Sequence, residues 1–306
     1  MQIKNLFDFV AQFPDEQACI DYLEKLRWNG NVVSPFDPDS KVYKCKNNRY
    51  KCVNTNKYFN VRTKSIFSDS KIDLKTWLLA IYTVSTLKKS ISTYDLANEL
   101  GITQKTAWFL IQRIRSVMSE ETYFTNDGGI VSMDETFVGG KNKNRHFDKK
   151  VKHSQGRSFK DKTPVFGMLQ ANDKVKCFVV SDTKASSIQP IIKANIEQNT
   201  VIVTDDWWAY EGLDKDYHHE QVRHDLGRYA NDNGFSSNPM ENFWSHFKRA
   251  WVSTHSGRVT PKHLQKYADE SSFRYNSRKD SISQKIENLA TKSLTKAIKY
   301  KTLTAK

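Results

Sequence analysis

The pattern of apolar residues between positions 130 and 204 constrains the fold more than any other part of this sequence. Three short β-rich runs, at 130–138, 165–170 and 175–181, are followed by a helical segment over 187–198 and by a fourth run at 200–204. The order is therefore βββαβ. It predicts an α/β domain in which a mixed sheet is flanked by helices.

The chain is strongly basic, with a formal net charge of +14. Such a surplus attracts anionic polymers, so nucleic acid is the first partner to consider, although charge can also serve solubility alone. The basic stretch 141–162 is either a solvated loop or a DNA contact. No apolar run approaches the ~20 residues of a membrane span, and the first residues do not resemble a signal peptide. The cysteines have no paired spacing, which speaks against a disulfide framework and fits a reducing cytoplasm: Cys19, Cys45, Cys52 and Cys177.

Residues 73–118 have the pattern of a helix-turn-helix module. Ser92 with Asp95 forms a capping box before one helix, Gly101 ends that helix, and Thr103 can cap the next. The second helix is expected to turn six side chains towards a DNA groove and its phosphates: Gln104, Lys105, Trp108, Gln112, Arg113 and Arg115. An ordinary helical hairpin is the alternative interpretation.

Three acidic residues are candidates for a catalytic site. Asp134 lies within the first apolar run, where an unpaired carboxylate is costly to bury. Asp205 directly follows the fourth run, at the end where open sheets present functional side chains, although this residue and Asp206 could equally be turn or cap residues. Glu241 lies at the start of a predicted helix and shares a helical face with Lys248, two turns further on. A solvated pair is the alternative there.

An acid in the first strand, an acid after the fourth and an acid on a later helix form the layout of an RNase H-like nuclease. Carboxylates gathered in this way hold two Mg²⁺ ions, typically ~3.5–4 Å apart, which activate a water or a 3′-hydroxyl and stabilise the leaving oxygen in phosphoryl displacement. Because carboxylate oxygens are hard ligands, Mg²⁺ or Mn²⁺ is expected at Asp134, Asp205 and Glu241, and not zinc or copper.

Five segments carry a resemblance to a known family. In chain order they are KIDLKTWLLAIYTVSTLKKSISTYDLANELGITQKTAWFLIQRIR, DETFVGGK, VTDDWWAY, SNPMENFWSHFKR and KHLQKYADESSFRYNSR. As an ordered set, covering nearly the whole chain, they resemble the ISXO-like insertion-sequence transposases, which are related to the Merlin elements.

The resemblance implies a role for each acid. The family's first catalytic aspartate matches Asp134, its second matches Asp205 through the pattern T-D-x-W-x-x-Y, and its third acid matches Glu241. Thirty-five residues separate the last two acids, a spacing typical of DDE recombinases. Some members have asparagine as the third catalytic residue, and Asn238 occupies that position, but a carboxylate binds Mg²⁺ better than an amide does. Lys248 matches a downstream lysine that is expected to contact a phosphate of the transposon end.

The sequence departs from the family pattern at two places. Relatives usually carry an N-terminal zinc ribbon whose two C-x-x-C pairs align here with Ser34, Asp37, Cys52 and Thr55, so that one thiolate is left. Since structural zinc needs four good ligands, no zinc is expected. Ser236 stands where the family motif usually has histidine, which bears on the tuning of the site.

These features predict four segments. They are an N-terminal helix with a degenerate zinc-ribbon-like module (1–69), a helix-turn-helix module (70–120), an RNase H-like DDE catalytic domain (127–280) and a basic C-terminal tail (281–306). The expected protein is a transposase of a bacterial insertion sequence. It would be cytoplasmic and associated with the nucleoid. It would bind terminal inverted repeats in double-stranded DNA, cut and transfer strands with Mg²⁺, and form at least a dimer in the synaptic complex. An inactive, domesticated DNA-binding relative and an RNase H-like nuclease without transposition are the alternatives.

Overall fold

The computed structural model describes residues 2–139, 142, 145–152, 158, 161–170, 174–222, 238–255 and 260–304. The chain divides into two compact units. The first unit contains Met1–Met118 and Lys279–Lys306, and the second contains Ser119–Arg278. The first unit is therefore assembled from two separate parts of the chain.

The first unit begins with helices α1 (Leu6–Gln12) and α2 (Glu16–Trp28). The side chains of Asn5 and Asp15 accept the backbone N–H groups of Asp8 and Ala18, at 3.0 and 2.8 Å, and so satisfy donors that a helix leaves unpaired at its N-terminus. The N-terminal helix expected from the sequence is therefore present. Its buried side consists of Cys19, Leu23 and Trp28.

A small antiparallel sheet follows these helices. It contains β1 (Val42–Cys45), β2 (Arg49–Cys52) and β3 (Tyr58–Phe59) in that order. Side chains alternate between the two faces of a strand, and the inner face of this sheet carries the buried residues Tyr50, Cys52 and Phe59. Trp28 packs edge-on against two of these aromatic rings.

The rest of the first unit is helical, with α3 (Leu74–Thr86), α4 (Thr93–Leu100), α5 (Gln104–Arg115), α9 (Ile282–Ser293) and α10 (Tyr300–Thr304). Gly101 ends α4 in the left-handed region at φ 64°, and Thr103 caps α5. This αL glycine lets the chain reverse direction between the two helices without a steric penalty.

The basic C-terminal tail predicted at 281–306 is largely helical and belongs to the first unit. The inner side of α9 buries Ile286, Leu289 and Ala290, and α9 packs on α3. The backbone carbonyl of Ser293 accepts the Ile66 N–H at 3.0 Å. The lysines lie on the outer side of this segment. Apolar residues at helical spacing form its inner side and pack against the rest of the first unit.

The second unit is built on a five-stranded mixed sheet of order β6-β5-β4-β7-β8. Its strands are β4 (Val131–Val138), β5 (Thr163–Gln170), β6 (Val175–Val179), β7 (Val201–Thr204) and β8 (His218–Gln221). Within this sheet, β4–β5 and β5–β6 pair antiparallel, whereas β4–β7 and β7–β8 pair parallel. The predicted mixed sheet is confirmed, with β8 as an additional strand.

Helices cover both faces of this sheet. On one face α6 (Ala185–Asn195) packs into a core with Val131, Met133 and Phe166. On the other face α7 (Asn238–His255) and α8 (Pro261–Asn276) pack into a second core. Its aromatic members come from one side of α7: Phe243, Trp244 and Phe247.

Strand β6 lies at one edge of the sheet, and side chains of α8 satisfy part of its backbone. Gln265 accepts the N–H of Val179 at 2.8 Å and donates to the carbonyl of Cys177 at 2.9 Å. Asn276 accepts the N–H of Val175 at 2.8 Å. An edge strand covered in this way is protected from pairing with another chain.

For the first unit, the helix-turn-helix and zinc-ribbon-like modules stay predictions. Much of the basic stretch 141–162, together with Ser236, lies outside the described residues. Among the helices that the structure describes, none is long and apolar enough to cross a membrane.

Candidate active site

The two predicted catalytic aspartates belong to neighbouring parallel strands, one within β4 and the other directly after β7. In the β4–β7 pairing, Ser132 is opposite Val203. Asp134 is two residues further along β4, and Asp205 is two residues beyond Val203, directly after β7. Because side chains alternate along a strand, the same register puts the two aspartates opposite each other and on one face of the sheet.

Local hydrogen bonds hold both aspartates. The backbone N–H of Glu135 donates to Oδ1 of Asp134 at 2.7 Å, and that of Trp207 donates to Oδ1 of Asp205 at 3.2 Å. Both residues are half-buried. Their carboxylates are therefore oriented by the backbone while part of each residue is open to solvent.

The residues just before and beside Asp205 are also fixed. The Thr204 hydroxyl lies 2.8 Å from Nε2 of His219 on β8 and donates to the carbonyl of Asp205 at 2.7 Å. Burial lowers the pKa of His219, so the neutral imidazole is favoured there. This contact joins the C-terminal end of β7 to its outer neighbour.

Helix α7 approaches the sheet closely beside Asp134. The residue paired with Asp134 on β5 is Gly167. A Cβ atom at this glycine would overlap Cε of Met240 and lie 2.7 Å from Cζ2 of Trp244. The absence of a side chain at Gly167 thus lets α7 lie directly on the strand, with Met240 in contact and Glu241 next to it in the chain.

The third predicted acid is not gathered with the other two. Glu241 is exposed, as are Asn238 and Lys248. Within the described part of the chain, no three His, Cys, Asp or Glu side chains come close enough together to hold a metal ion. The strand register therefore puts Asp134 and Asp205 on one face of the sheet, and Glu241 lies on the helix that covers this face. The available oxygen donors are of the kind that Mg²⁺ and Mn²⁺ prefer.

A hydrogen-bonded pair behind the aspartates, Tyr210 and Glu135, is not among the predicted site residues. Tyr210 is fully buried, and its hydroxyl donates to Oε1 of Glu135 at 2.6 Å. Burial raises the pKa of Tyr210 well above its usual value, and the charges of Glu135, Asp134 and Asp205 raise it further. Two positions in the sequence could have indicated this pair: Glu135 directly follows Asp134, and Tyr210 ends the T-D-x-W-x-x-Y pattern.

Three of the six predicted DNA contacts on α5 need correction. Gln112, Arg113 and Arg115 are at most 1% exposed, so they cannot reach a DNA groove in this conformation. The Arg113 guanidinium donates to the carbonyls of Ile66 and Ser68, the latter at 2.6 Å. Helical periodicity did not reveal this role, because the carbonyls come from a loop far away in the sequence.

The other three predicted contacts are accessible to different degrees. Lys105 is exposed, and Gln104 and Trp108 are half-buried. Gln104 donates to the hydroxyl of Thr93 at 2.8 Å, which ties the start of α5 to the start of α4. Lys105 is thus the most accessible of the six.

The positions aligned with a zinc ribbon form a cluster around one thiol. Burial raises the pKa of Cys52, but hydrogen bonds with the Ser34 and Ser40 side chains and with the backbone of Thr55 outweigh burial and lower it from 9.0 to about 7. The hydroxyl of Ser34 also accepts the N–H of Asp37 at 3.3 Å. Hydroxyl groups thus surround the remaining sulfur.

Comparison with known proteins shows similarity to transposases of mobile elements. Residues 128–276 match the ISXO2-like transposase domain. An uncharacterized protein in transposable element ISH50 of Halobacterium salinarum is 27% identical over 270 residues, which are 82% of this chain and 90% of that protein. An uncharacterized transposase-like protein of Haemophilus influenzae is 28% identical over 104 residues, or 34% of this chain and 81% of that protein.

No solved structure matches the chain. The matched region begins just before β4 and ends with α8, so it contains the sheet, both aspartates and the helix that carries Glu241. Residues 128–276 are therefore similar to the ISXO2-like transposase domain, and 82% of the chain resembles a protein of a transposable element.

Proposed function

We propose that this protein is the transposase of an insertion sequence, and that it binds the terminal inverted repeats of its element and cuts and joins DNA strands with Mg²⁺ or Mn²⁺. The observation that carries the proposal is the parallel register of β4 and β7, which, continued by two residues, puts Asp134 opposite Asp205. The family of the domain and the order of its strands, with the two acid-bearing strands side by side, support an RNase H-like DDE domain.

The proposed metal ligands are Asp134, Asp205 and Glu241. When bound, divalent ions supply activation of a water or 3′-hydroxyl and stabilisation of the leaving oxygen. Asp134 and Asp205 offer carboxylates held by backbone N–H groups. Glu241 would join them from α7, and Asn238, at the start of the same helix, is the alternative third ligand.

Other residues would bind the DNA. Lys248 is exposed on α7 and would contact a phosphate of the transposon end. In the proposed helix-turn-helix of α4 and α5, Gln104, Lys105 and Trp108 would face the inverted repeat. Because two ends must be held together for transposition, the active form would be at least a dimer.

The test is cleavage and strand transfer of a labelled duplex that bears the flanking inverted repeat. Asp134→Asn, Asp205→Asn and Glu241→Gln are each expected to reduce cleavage by at least about a hundredfold while repeat binding persists, because each removes a charge from the metal site. Asp206→Asn is the matched control, since Asp206 is the exposed neighbour of Asp205 and is given no role.

The outcomes separate the alternatives. Wild-type protein that binds the repeat and never cuts, with either metal, would identify an inactive DNA-binding relative. Cutting that ignores the end sequence would identify a nuclease without transposition. Loss of cleavage in Asn238→Ala and not in Glu241→Gln would move the third ligand to Asn238.

A further inference from the structure

The outer face of the β1-β2-β3 sheet combines cations with exposed aromatic rings. Tyr43 pairs with Lys51, and Lys51 pairs with Tyr58, so these three residues form one row across the strands. Tyr43 and Tyr58 are 51% and 57% exposed. The next pair on the same face is Cys45 with Arg49, where Arg49 is exposed. This face is opposite to the one that packs on Trp28.

The charge of this face has one sign. The strands β1, β2 and β3, all of whose residues are described, contain no acidic residue. Lys41, just before β1, adds a third cation to Arg49 and Lys51, and its backbone carbonyl accepts the N–H of Val53. Three cations without a carboxylate among the strand residues favour an anionic partner.

The aromatic rings are arranged to support the cations. The ammonium of Lys41 lies 5.2 Å from the ring centre of Tyr43, and that of Lys51 lies 5.9 Å from the ring centre of Tyr58. Such contacts restrict a flexible lysine side chain and leave its N–H donors directed outwards. Since ammonium groups already occupy ring faces, the rings are better placed to orient lysines than to stack on bases.

We infer that this outer face, made of Lys41, Tyr43, Arg49, Lys51 and Tyr58, binds the phosphate backbone of duplex DNA. The inference rests on the proposed function, because it names a surface that would hold the DNA on which the protein acts. It adds a contact to those proposed on α5, where half of the expected side chains are buried. Backbone contacts of this kind fix orientation and do not depend on sequence.

The test is the salt dependence of duplex binding, measured by fluorescence anisotropy without divalent metal. The variant Lys41→Gln/Arg49→Gln/Lys51→Gln should reduce the slope of log Kobs against log salt by about 3, since each lost phosphate contact removes about one unit. The matched control is Lys4→Gln/Lys25→Gln/Lys296→Gln, which removes the same charge from exposed positions of the first unit outside the sheet.

The tyrosines give a second measurement that does not depend on net charge. Tyr43→Phe/Tyr58→Phe keeps both rings and should bind the duplex as the wild type does, whereas Tyr43→Leu/Tyr58→Leu should weaken binding. Circular dichroism and urea unfolding verify that each variant is folded.

Each result decides for or against the inference. Equal loss of slope in the sheet variant and in the control would overturn it, because charge alone would then explain the effect. An unchanged slope in the sheet variant also overturns it and leaves the proposed function standing. If the sheet variant bound single-stranded DNA more weakly but bound the duplex normally, the result would overturn the inference in favour of a face that binds single-stranded DNA. If the wild type binds no duplex at all, the proposed function fails with it.

Discussion

The two units stabilise their charged residues in different ways. In the second unit, Asp134 lies within β4 and Asp205 directly follows β7, and both are half-buried with backbone N–H groups donating to them. In the first unit, Arg113 is buried, and its Nη1 group donates to backbone carbonyls of a loop. Sequence patterns suggested functional roles for both sets. The difference teaches that a charged residue is available to a ligand only where the topology leaves it open.

The largest effect should come from the buried cation. Replacing Arg113 with methionine leaves the carbonyls of Ile66 and Ser68 without their donor and should reduce the free energy of unfolding by about 3 kcal/mol. Urea unfolding measures it. Lys105→Met, an exposed change on the same helix, should leave the unfolding midpoint nearly unchanged. If Arg113→Met kept full stability but lost DNA binding, the contrast between the two units would break down.

The next effect concerns the close approach of α7. Gly167→Ala should destabilise the second unit by about 2 kcal/mol and reduce cleavage, because the new methyl group overlaps Met240 and crowds Trp244. A double-mutant cycle with Met240→Ala sharpens this prediction. The cost of Gly167→Ala should be smaller in that background. Equal costs in both backgrounds would mean that this contact does not set the position of the helix.

A smaller effect is expected at the hydroxyl behind the aspartates. Tyr210→Phe removes the donor to the Glu135 carboxylate and should cost about 1.5 kcal/mol in thermal or urea unfolding, because hydrogen bonds to charged groups are the stronger ones. Tyr217→Phe is the comparison, since its hydroxyl reaches only a neutral carbonyl, that of Ile196, at 3.3 Å. A larger loss at Tyr217 than at Tyr210 would contradict this ranking.

The smallest effect is a pH dependence in the first unit. The pKa of Cys52 is lowered from 9.0 to about 7, so the stabilising contribution of its thiolate is fully present above pH 9.0 and is lost as pH falls through about 7. Relative to Cys52→Ser, the wild type should therefore gain stability from pH 7 to 9. Cys177→Ser is the control.

Burial raises the pKa of Cys177 to about 12, so its contribution is present below pH 9 and decreases only above it. The difference between wild type and Cys177→Ser should be flat from pH 7 to 8. A flat profile for Cys52→Ser over the same range as well would refute the thiolate assignment.

The sequence predicted the parts of the fold that depend on local pattern. Apolar runs identified β4 to β7, and the acid within the first run and the acid directly after the fourth identified the two aspartates. Strand β8 (His218–Gln221) was missed because its residues, HHEQ, are polar and its pairing depends on β7. The close approach at Gly167 was missed for a related reason, since it depends on where a later helix packs.

The cations of α5 show most clearly what helical periodicity in the sequence does not predict. The apolar residues Ala107, Leu110 and Ile114 of α5 are buried, but so are Gln112 and Arg113. A helix in a small unit can be covered on more than one side, and here part of that covering comes from distant sequence. Tyr300, for example, lies with its ring 5.8 Å from that of Phe109 on α5. Periodicity within one helix contains no information about such contacts.

The discontinuity of the first unit has a consequence for biosynthesis. Ser283 accepts the Ile3 N–H at 2.7 Å, and the segment 279–306 packs beside residues that are translated long before it. The ribosome therefore synthesises the whole second unit before the first unit can receive its remaining helices. The first unit is completed only when residues 279–306 have been made, so any DNA affinity that depends on the finished unit appears only then.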